Sequence, residues 1–118
     1  MPALEVTINA TLDGRVLDGF PIVKRLSTVT LETRVFTKAS GAGYVALTDD
    51  VASIAAAIMQ TDQPISVKLN GSATSFTLNA GGLMVLLDVL LDAGAATNVT
   101  LENTSGATAT VRGGVLGT

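Results

Sequence analysis

The stretch PISVKLNGSATSFTLNAGGLMVLLDVLLD, residues 64–92, decides the predicted fold. Apolar and polar residues alternate on both sides of Asn70-Gly71, a pair that suits the two positive φ angles of a type I′ hairpin turn. We therefore predict a β-hairpin here, with most same-face neighbours apolar. The predicted register sets three pairs opposite each other: Leu69 with Ser72, Val67 with Thr74, and Ile65 with Phe76.

The apolar run that follows Gly81-Gly82 is compatible with a strand or a helix, because periodicity does not separate the two in so short a run. No good N-cap precedes Leu83, and a helix would place Asp88 and Asp92 near its C-terminal end, where the helix dipole disfavours acids. We predict a strand from about Leu83 to Asp88, buried on both faces, and keep a helix as the alternative.

Working outward, other segments show strand alternation. The strand predicted over residues 28–38 has Glu32, Arg34 and Lys38 on a solvated face, which would protect a sheet edge. Further strands are predicted at 3–11, 15–17, 44–47, 98–102 and 107–111, the last two as a half-exposed hairpin. Asp13-Gly14 and Asp18-Gly19 are predicted turns.

One segment predicts a helix. Thr48 or Asp49 can cap it, and Val51, Ile54 and Ile58 recur at helical spacing before the turn cluster ending at Pro64. On this interpretation Asp49 and Asp50 serve the cap and are not a metal pair. Taken together, the patterns predict an all-β protein, a β-sandwich or jelly-roll-like domain with one short helix near residues 49–60. Residues 1–27 are expected to form an N-terminal arm or meander, and residues 28–118 the sandwich domain.

Composition points to assembly. Only 14% of the 118 residues are charged and the mean hydropathy is +0.51, whereas about a quarter of residues are charged in ordinary domains. Such an apolar excess in a small chain predicts burial against other chains. The N-terminus lacks the features of a secretory signal, and no apolar run is long enough to span a bilayer, so we expect no membrane partner.

The chain has few of the residue types that commonly act in catalysis. It contains no His and no Cys, which removes the usual base and the thiol nucleophile. Asp88 and Asp92 are the close acid pair in an apolar setting, and a Ser-Lys dyad would have to use Lys68. Basic residues are not interleaved with aromatic ones, so no nucleic-acid partner is expected. We predict no enzyme, and no catalytic, cofactor-binding or metal-ligating residue.

Three segments, in their order, resemble small β-rich virion structural proteins of tailed bacteriophages. They are YVALTDDVASIAAAIMQTDQPISVKLNGS (44–72), FTLNAGGLMVLLD (76–88) and NVTLENTSGATATVRGGVLGT (98–118). The resemblance covers about two-thirds of the chain and is one of order and style. It implies a head cement (decoration) protein, or a tail or fibre component, often trimeric, and it brings no catalytic residues. The first third of the chain lies outside it.

The resulting hypothesis is a virion structural protein, assembled in the host cytoplasm, that forms a homo-oligomer, most simply a homotrimer. It would stabilise the head by bridging subunits of the major capsid protein. The arm and the C-terminal hairpin are the predicted contact surfaces, with candidate residues Val16, Leu17, Phe20, Pro21, Lys24, Arg25, Val99, Leu101, Val111 and Arg112. The alternatives are a tail or fibre component of a phage particle, a non-catalytic carbohydrate-binding β module that uses Tyr44, and an enzyme that uses the Asp88/Asp92 pair.

Overall fold

The computed structural model of the protein describes residues 3–27 and 30–118, and the regular elements in these two ranges are β-strands. Neither range contains a helix. The prediction of an all-β fold is therefore confirmed. The strands are β1 (Ala3–Ile8), β2 (Thr11–Leu12), β3 (Arg15–Val16), β4 (Ile22–Ser27), β5 (Thr30–Lys38), β6 (Gly41–Ala46), β7 (Ile54–Thr61), β8 (Ile65–Leu69), β9 (Ser75–Leu78), β10 (Leu83–Leu91), β11 (Val99–Asn103) and β12 (Ala109–Gly117).

Within the described ranges, eight strands form two four-stranded antiparallel sheets. Sheet I has the strand order β10-β7-β12-β5, and sheet II has the order β6-β11-β8-β9. Their facing sides carry fully buried aliphatic side chains, such as Met59 and Val111 in sheet I and Val67 and Leu101 in sheet II. The two sheets therefore pack as a β-sandwich around an aliphatic core.

The segment predicted as a helix near residues 49–60 forms strand β7, so that prediction is wrong. β7 lies inside sheet I, paired with β10 on one side and β12 on the other. A strand covered on both faces carries apolar residues at successive positions and loses the alternation of a half-exposed strand. Residues 55–57 are alanines with high helix propensity, and the ladders on both sides outweigh that preference. Asp49 and Asp50 cap no helix and lie exposed in the preceding bend.

The hairpin turn at Asn70-Gly71 is confirmed, with φ angles of 53° and 72° at its two residues. The register differs from the prediction by two residues, because Val67 lies opposite Phe76 instead of Thr74. Residues 72–74 leave the ladder before β9 begins, which produces the shift. A shift of two residues keeps every side chain on its own face, so the predicted inner face of β8 is retained.

The apolar run after Gly81-Gly82 forms strand β10, so the strand and not the helix alternative is correct. β10 lies at one edge of sheet I. Met84 is buried in the core, but Leu83 and Leu90 are exposed. The prediction that this strand is buried on both faces is therefore wrong.

The two strands predicted as a C-terminal hairpin belong to different sheets, because β11 lies in sheet II and β12 in sheet I. The connection crosses the sandwich and is organised by Asn103. Its Nδ2 donates to the carbonyl oxygens of Lys38 and Ala107, each at 2.8 Å, and its Oδ1 accepts from the amide of Ser105. β12 then continues to Gly117, so the glycine-rich tail becomes a central strand.

β5 forms the predicted strand at the other edge of sheet I, but its two faces point in the opposite directions from those expected. Glu32 and Arg34 were expected in solvent, and both point toward the space between the sheets. Leu31 and Val35 point away from sheet II. Residues 28–29, with which the predicted strand began, lie outside the described residues.

Residues 3–27 form a two-stranded ribbon of β1 and β4, with the small β2–β3 hairpin at its far end. Even-numbered residues of β1 are half-buried and odd-numbered ones exposed, which confirms the predicted alternation. The turn at Asp13-Gly14 is also confirmed, with φ angles of 51° and 78°. β4 was not predicted. β4, which ends at Ser27, pairs with β1 in the ribbon, and β5, which begins at Thr30, pairs with β12 in sheet I. This change of partner lies beside the predicted boundary between 1–27 and 28–118.

Candidate assembly surface

The side of sheet I that faces away from sheet II is mainly apolar; we call it the outer face. It is exposed along β5 and at Leu83, and it is buried at Ala56 and Leu116. Because directly paired residues share a face, the registers of β10, β7, β12 and β5 assign its members. Leu31, Val35 and Leu83 on this face are 49%, 69% and 59% exposed. Its members are Leu31, Thr33, Val35, Thr37, Ala56, Ile58, Gln60, Leu83, Val85, Leu87, Thr110, Arg112, Gly114 and Leu116.

Polar contacts inside the sandwich fix the rotation of β5 that exposes its aliphatic side chains. The Nη1 of Arg34 donates to the carbonyl oxygen of Leu47 at 2.8 Å, and its guanidinium lies 4.5 Å from the ring centroid of Phe36. The hydroxyl of Thr48 donates to the carboxylate of Glu32. Inward-pointing charged residues are a known protection of edge strands against pairing with other chains. With its charges turned inward, β5 presents its apolar side outward.

A cavity of about 390 Å³ opens on the outer face. Gly114 lies in the middle of it, and a Cβ placed there would have its nearest neighbours at 3.6 Å, which is ordinary contact distance. The missing side chain thus leaves a depression beside Thr33 and Ile58. Leu4 of the ribbon lines one end together with Leu116. The lining is largely aliphatic, so water held there gains few hydrogen bonds.

Arg112 lies at the other end of this outer cavity, in the same ladder row as Gln60. Arg112 and Leu116 are four positions apart in β12, which is about 13 Å along an extended strand. Arg112 is exposed, and within the described parts of the chain it has neither an ion pair nor a side-chain hydrogen bond. The cavity therefore combines an aliphatic floor with one unpaired positive charge at its rim.

The base of the ribbon is held against sheet I at two points. Leu4 lines the outer cavity, and the Nζ of Lys24 lies 2.8 Å from the Oδ2 of Asp88 on β10. Asp88 has a φ of 58° at an interruption of the β10–β7 ladder, a conformation that Asp tolerates better than most residues. The carboxylate considered as half of an acid pair is therefore engaged by a lysine. The amide of Asp92, for its part, donates to the Oδ1 of Asn70 at 2.8 Å.

The far end of the ribbon, residues 10–20, carries unusually exposed apolar side chains; we call it the tip. Leu12, Val16 and Leu17 are 66%, 60% and 41% exposed. A two-stranded hairpin is marginally stable in water by itself. The exposed aliphatic residues and the isolated pairing of β2 with β3 make the tip a segment whose apolar surface the chain itself leaves uncovered.

The structure separates the ten candidate contact residues into two groups. Seven of them lie on the ribbon or the outer face and are exposed or half-buried: Val16, Leu17, Phe20, Pro21, Lys24, Arg25 and Arg112. Val99, Leu101 and Val111 have no exposed surface and belong to the core, so they are not available to a partner. They are buried because β11 and β12 lie in opposite sheets and face each other across the sandwich.

Sequence reasoning missed the outer face itself. The sequence predicts that Glu32, Arg34 and Lys38 form the solvated side of their strand, which leaves Leu31 and Val35 on the predicted inner side. A strand with apolar residues on one face and charges on the other is normally oriented with the charges outward. The available signal was the low charged fraction of the whole chain, which implies uncovered apolar surface without locating it.

The remaining chemical hypotheses concern Lys68 and Tyr44. The Nζ of Lys68 lies 4.2 Å from the ring centroid of Tyr44, a cation–π arrangement, and the hydroxyls of Tyr44 and Ser66 are 2.8 Å apart. One face of the Tyr44 ring is therefore covered by a lysine. Among residues 3–27 and 30–118, no group of three or more acidic residues could hold a metal ion. In the same ranges no helix is long and apolar enough to cross a membrane.

Comparison with known proteins finds no family model, no curated protein and no solved structure that matches this chain.

Proposed function

We propose that this chain is a virion structural protein, and specifically a capsid cement (decoration) protein of a tailed bacteriophage. It forms a homo-oligomer, most simply a homotrimer, and bridges subunits of the major capsid protein on the particle. The observation that carries the proposal is the pairing of a partly open aliphatic outer face with a ribbon whose tip is uncovered.

The size of the outer face supports an assembly role. Its four strands are eight or nine residues long, which gives a footprint of about 30 Å by about 19 Å. Two surfaces of that footprint in contact bury about 1,000 Å², the level at which specific protein interfaces begin. Exposed apolar patches at the upper end of the range seen in monomers often mark interaction sites.

The resemblance of residues 44–118 to small virion proteins of tailed phages is the reason for proposing a phage particle as the structure that this protein binds. A cement protein requires rigid shape, self-association and contact with a repeating lattice. A sandwich with an aliphatic core provides the first, and the outer face and the ribbon provide surfaces for the other two.

Binding to phage heads tests the proposal. Purified protein is mixed with expanded, undecorated capsids of tailed phages and sedimented, with unexpanded capsids as the control. We expect saturable co-sedimentation with expanded heads, because expansion creates the lattice that cement proteins bridge. Binding to tails and not to heads would replace the cement function by a tail or fibre role. Glycan-array binding that Tyr44→Ala abolishes would favour the carbohydrate-binding alternative instead.

A further inference from the structure

We propose that the tip of one copy, residues 10–20, inserts into the outer cavity of a second copy. The inference rests on the proposed self-association and names the two surfaces that make it. It joins the two apolar regions that the chain leaves uncovered, one convex and one concave.

The dimensions of the two surfaces match. A cavity of about 150 Å³ is large enough for a benzene ring, so 390 Å³ accommodates two or three aliphatic side chains. In the tip Leu12 shares a face with its partner Arg15, whereas Val16 lies on the opposite face with Thr11. The tip therefore offers two side chains to the cavity from one face, Leu12 and Leu17. A two-stranded hairpin is about 5 Å between strand axes, and the cavity runs about 13 Å along β12, which leaves room for both strands.

The tip does not fill the outer cavity of its own copy. Leu4, at the base of the ribbon, already lines one end of that cavity, and β1 carries the chain about 13 Å along the strand from Leu4 to Ile8 before the tip begins. In the structure Leu12 and its apolar neighbours in the tip are exposed to solvent. Insertion therefore has to occur between copies.

The charges of the two surfaces are complementary. The tip carries Asp13, Arg15 and Asp18, a net charge of −1, and none of the three forms an ion pair within the described residues. Arg112 is the unpaired cation at the cavity rim. Asp13 lies at the apex of the type I′ turn, so it is the acid that leads the tip toward the arginine. Complementary charges at an interface accelerate association and select the correct partner.

The same charge argues against the simplest alternative, in which two outer faces stack about a two-fold axis. Such an isologous contact would bring Arg112 of each copy onto the same apolar patch, where like charges repel. A tip inserted into a cavity is a heterologous contact, which joins different surfaces of successive copies and closes into a ring when the rotation permits. A closed ring of three satisfies the proposed homotrimer.

The first test changes the tip. The mass of wild-type protein and of Leu12→Asp is measured by size-exclusion chromatography with light scattering over a dilution series. Leu12→Asp should weaken self-association by at least about tenfold, because an aliphatic anchor is replaced by a charge that must be buried. Leu90→Asp is the matched control: Leu90 is 67% exposed, against 66% for Leu12, but it does not line the cavity. We expect this control to associate like the wild type.

The second test fills the cavity without adding charge. Gly114→Val introduces a side chain where a Cβ makes only ordinary contacts, at a strand position that favours β-branched residues. We expect self-association to be lost while the thermal unfolding midpoint is not lowered. A lowered midpoint would mean a damaged fold, and the tip variants then decide the question.

The third test exchanges the charges. Asp13→Arg and Arg112→Asp should each weaken association, and the double variant should recover it, because the ion pair is restored in reverse. Asp50→Arg is the control, since Asp50 is exposed and lies on neither surface.

Variants that all associate like the wild type overturn the inference, and so does a wild type that remains a monomer. Binding to expanded capsids is a separate measurement, so the cement function can stand where this contact fails, and the reverse.

Discussion

The sandwich and the ribbon are built from the same kind of alternating strand, but they differ in what covers their apolar side chains. Leu101 in the sandwich is fully buried by the opposite sheet, whereas Leu12 in the tip is largely exposed. Burial of a leucine side chain contributes about 1.5–3 kcal/mol. The sandwich therefore obtains its stability from its own residues, and the ribbon depends on whatever lies against it. Substitutions should consequently unfold the first and leave the second folded but unable to assemble.

The largest expected effect comes from Gly117, in the last strand of the sandwich. A Cβ at this position would lie 1.9 Å from the carbonyl oxygen of Ser53 and 2.8 Å from the Cγ1 of Val51. Because the nearer atom belongs to the backbone, the chain itself must move. We expect Gly117→Ala to lower the free energy of unfolding by more than about 3 kcal/mol, measured by urea denaturation.

Gly114→Ala is the control for that prediction, since its Cβ meets neighbours only at 3.6 Å. We expect it to be neutral or to stabilise by about 0.5–1 kcal/mol, because glycine inside a strand costs conformational entropy. Equal stabilities for the two alanine variants would contradict the packing described at the end of β12.

The next effect compares the same chemical change in the two regions. Leu101→Ala should destabilise the protein by about 3 kcal/mol, because it removes buried methyl groups and leaves a cavity. Leu12→Ala should change the free energy of unfolding by less than about 0.5 kcal/mol, and it should weaken self-association instead. Both quantities are measured on the same samples, by denaturation and by light scattering. A Leu12→Ala variant as unstable as Leu101→Ala would show that the tip belongs to the folding unit.

The difference between the regions also explains what the sequence could predict. Alternation and the turn pairs at Asn70-Gly71 and Asp13-Gly14 are local signals, and both turns and the all-β class were predicted correctly. The register beyond Asn70 shifted by two because Lys68 pairs with Ser75, a choice that the two-residue turn does not dictate. Local chemistry thus located the elements, while their exact pairing depended on the rest of the sandwich.

The failures occurred where a distant partner decides the outcome. β7 has an alanine-rich, continuously apolar sequence because two strands flank it and both its faces are largely covered, which no local pattern reports. The direction of β5 depends on Arg34 and Glu32 reaching Leu47 and Thr48, residues that follow thirteen or sixteen positions later. The outer face, and with it the candidate assembly surface, could not be located without those contacts.

A smaller effect is expected at the connection between the two sheets. Asn103→Ala removes the bonds to the carbonyl oxygens of Lys38 and Ala107 and those from the amide and the hydroxyl of Ser105, and it leaves partly buried polar groups unpaired. We expect a loss of about 1–3 kcal/mol, measured by thermal or urea denaturation. Asn79→Ala is the matched control, because Asn79 is exposed and its side chain makes no hydrogen bond within residues 3–27 and 30–118. A neutral Asn103→Ala would mean that water replaces all four bonds.

The smallest effect concerns the link between the regions, Lys24 with Asp88. Both side chains are substantially exposed, 41% and 65%, so the ion pair should contribute less than about 1 kcal/mol to global stability. Lys24→Ala should nevertheless loosen the attachment of the ribbon to sheet I. Hydrogen exchange should then accelerate at the β1 and β4 amides while the β11 and β12 amides keep their protection.

Asp88→Asn is the companion variant, because it removes the charge and retains a residue that tolerates the φ of 58°. It should reproduce the effect of Lys24→Ala, and high salt should do the same in the wild type, since screening weakens exposed ion pairs. Faster exchange throughout the sandwich would show instead that the ribbon and the sandwich unfold as one unit.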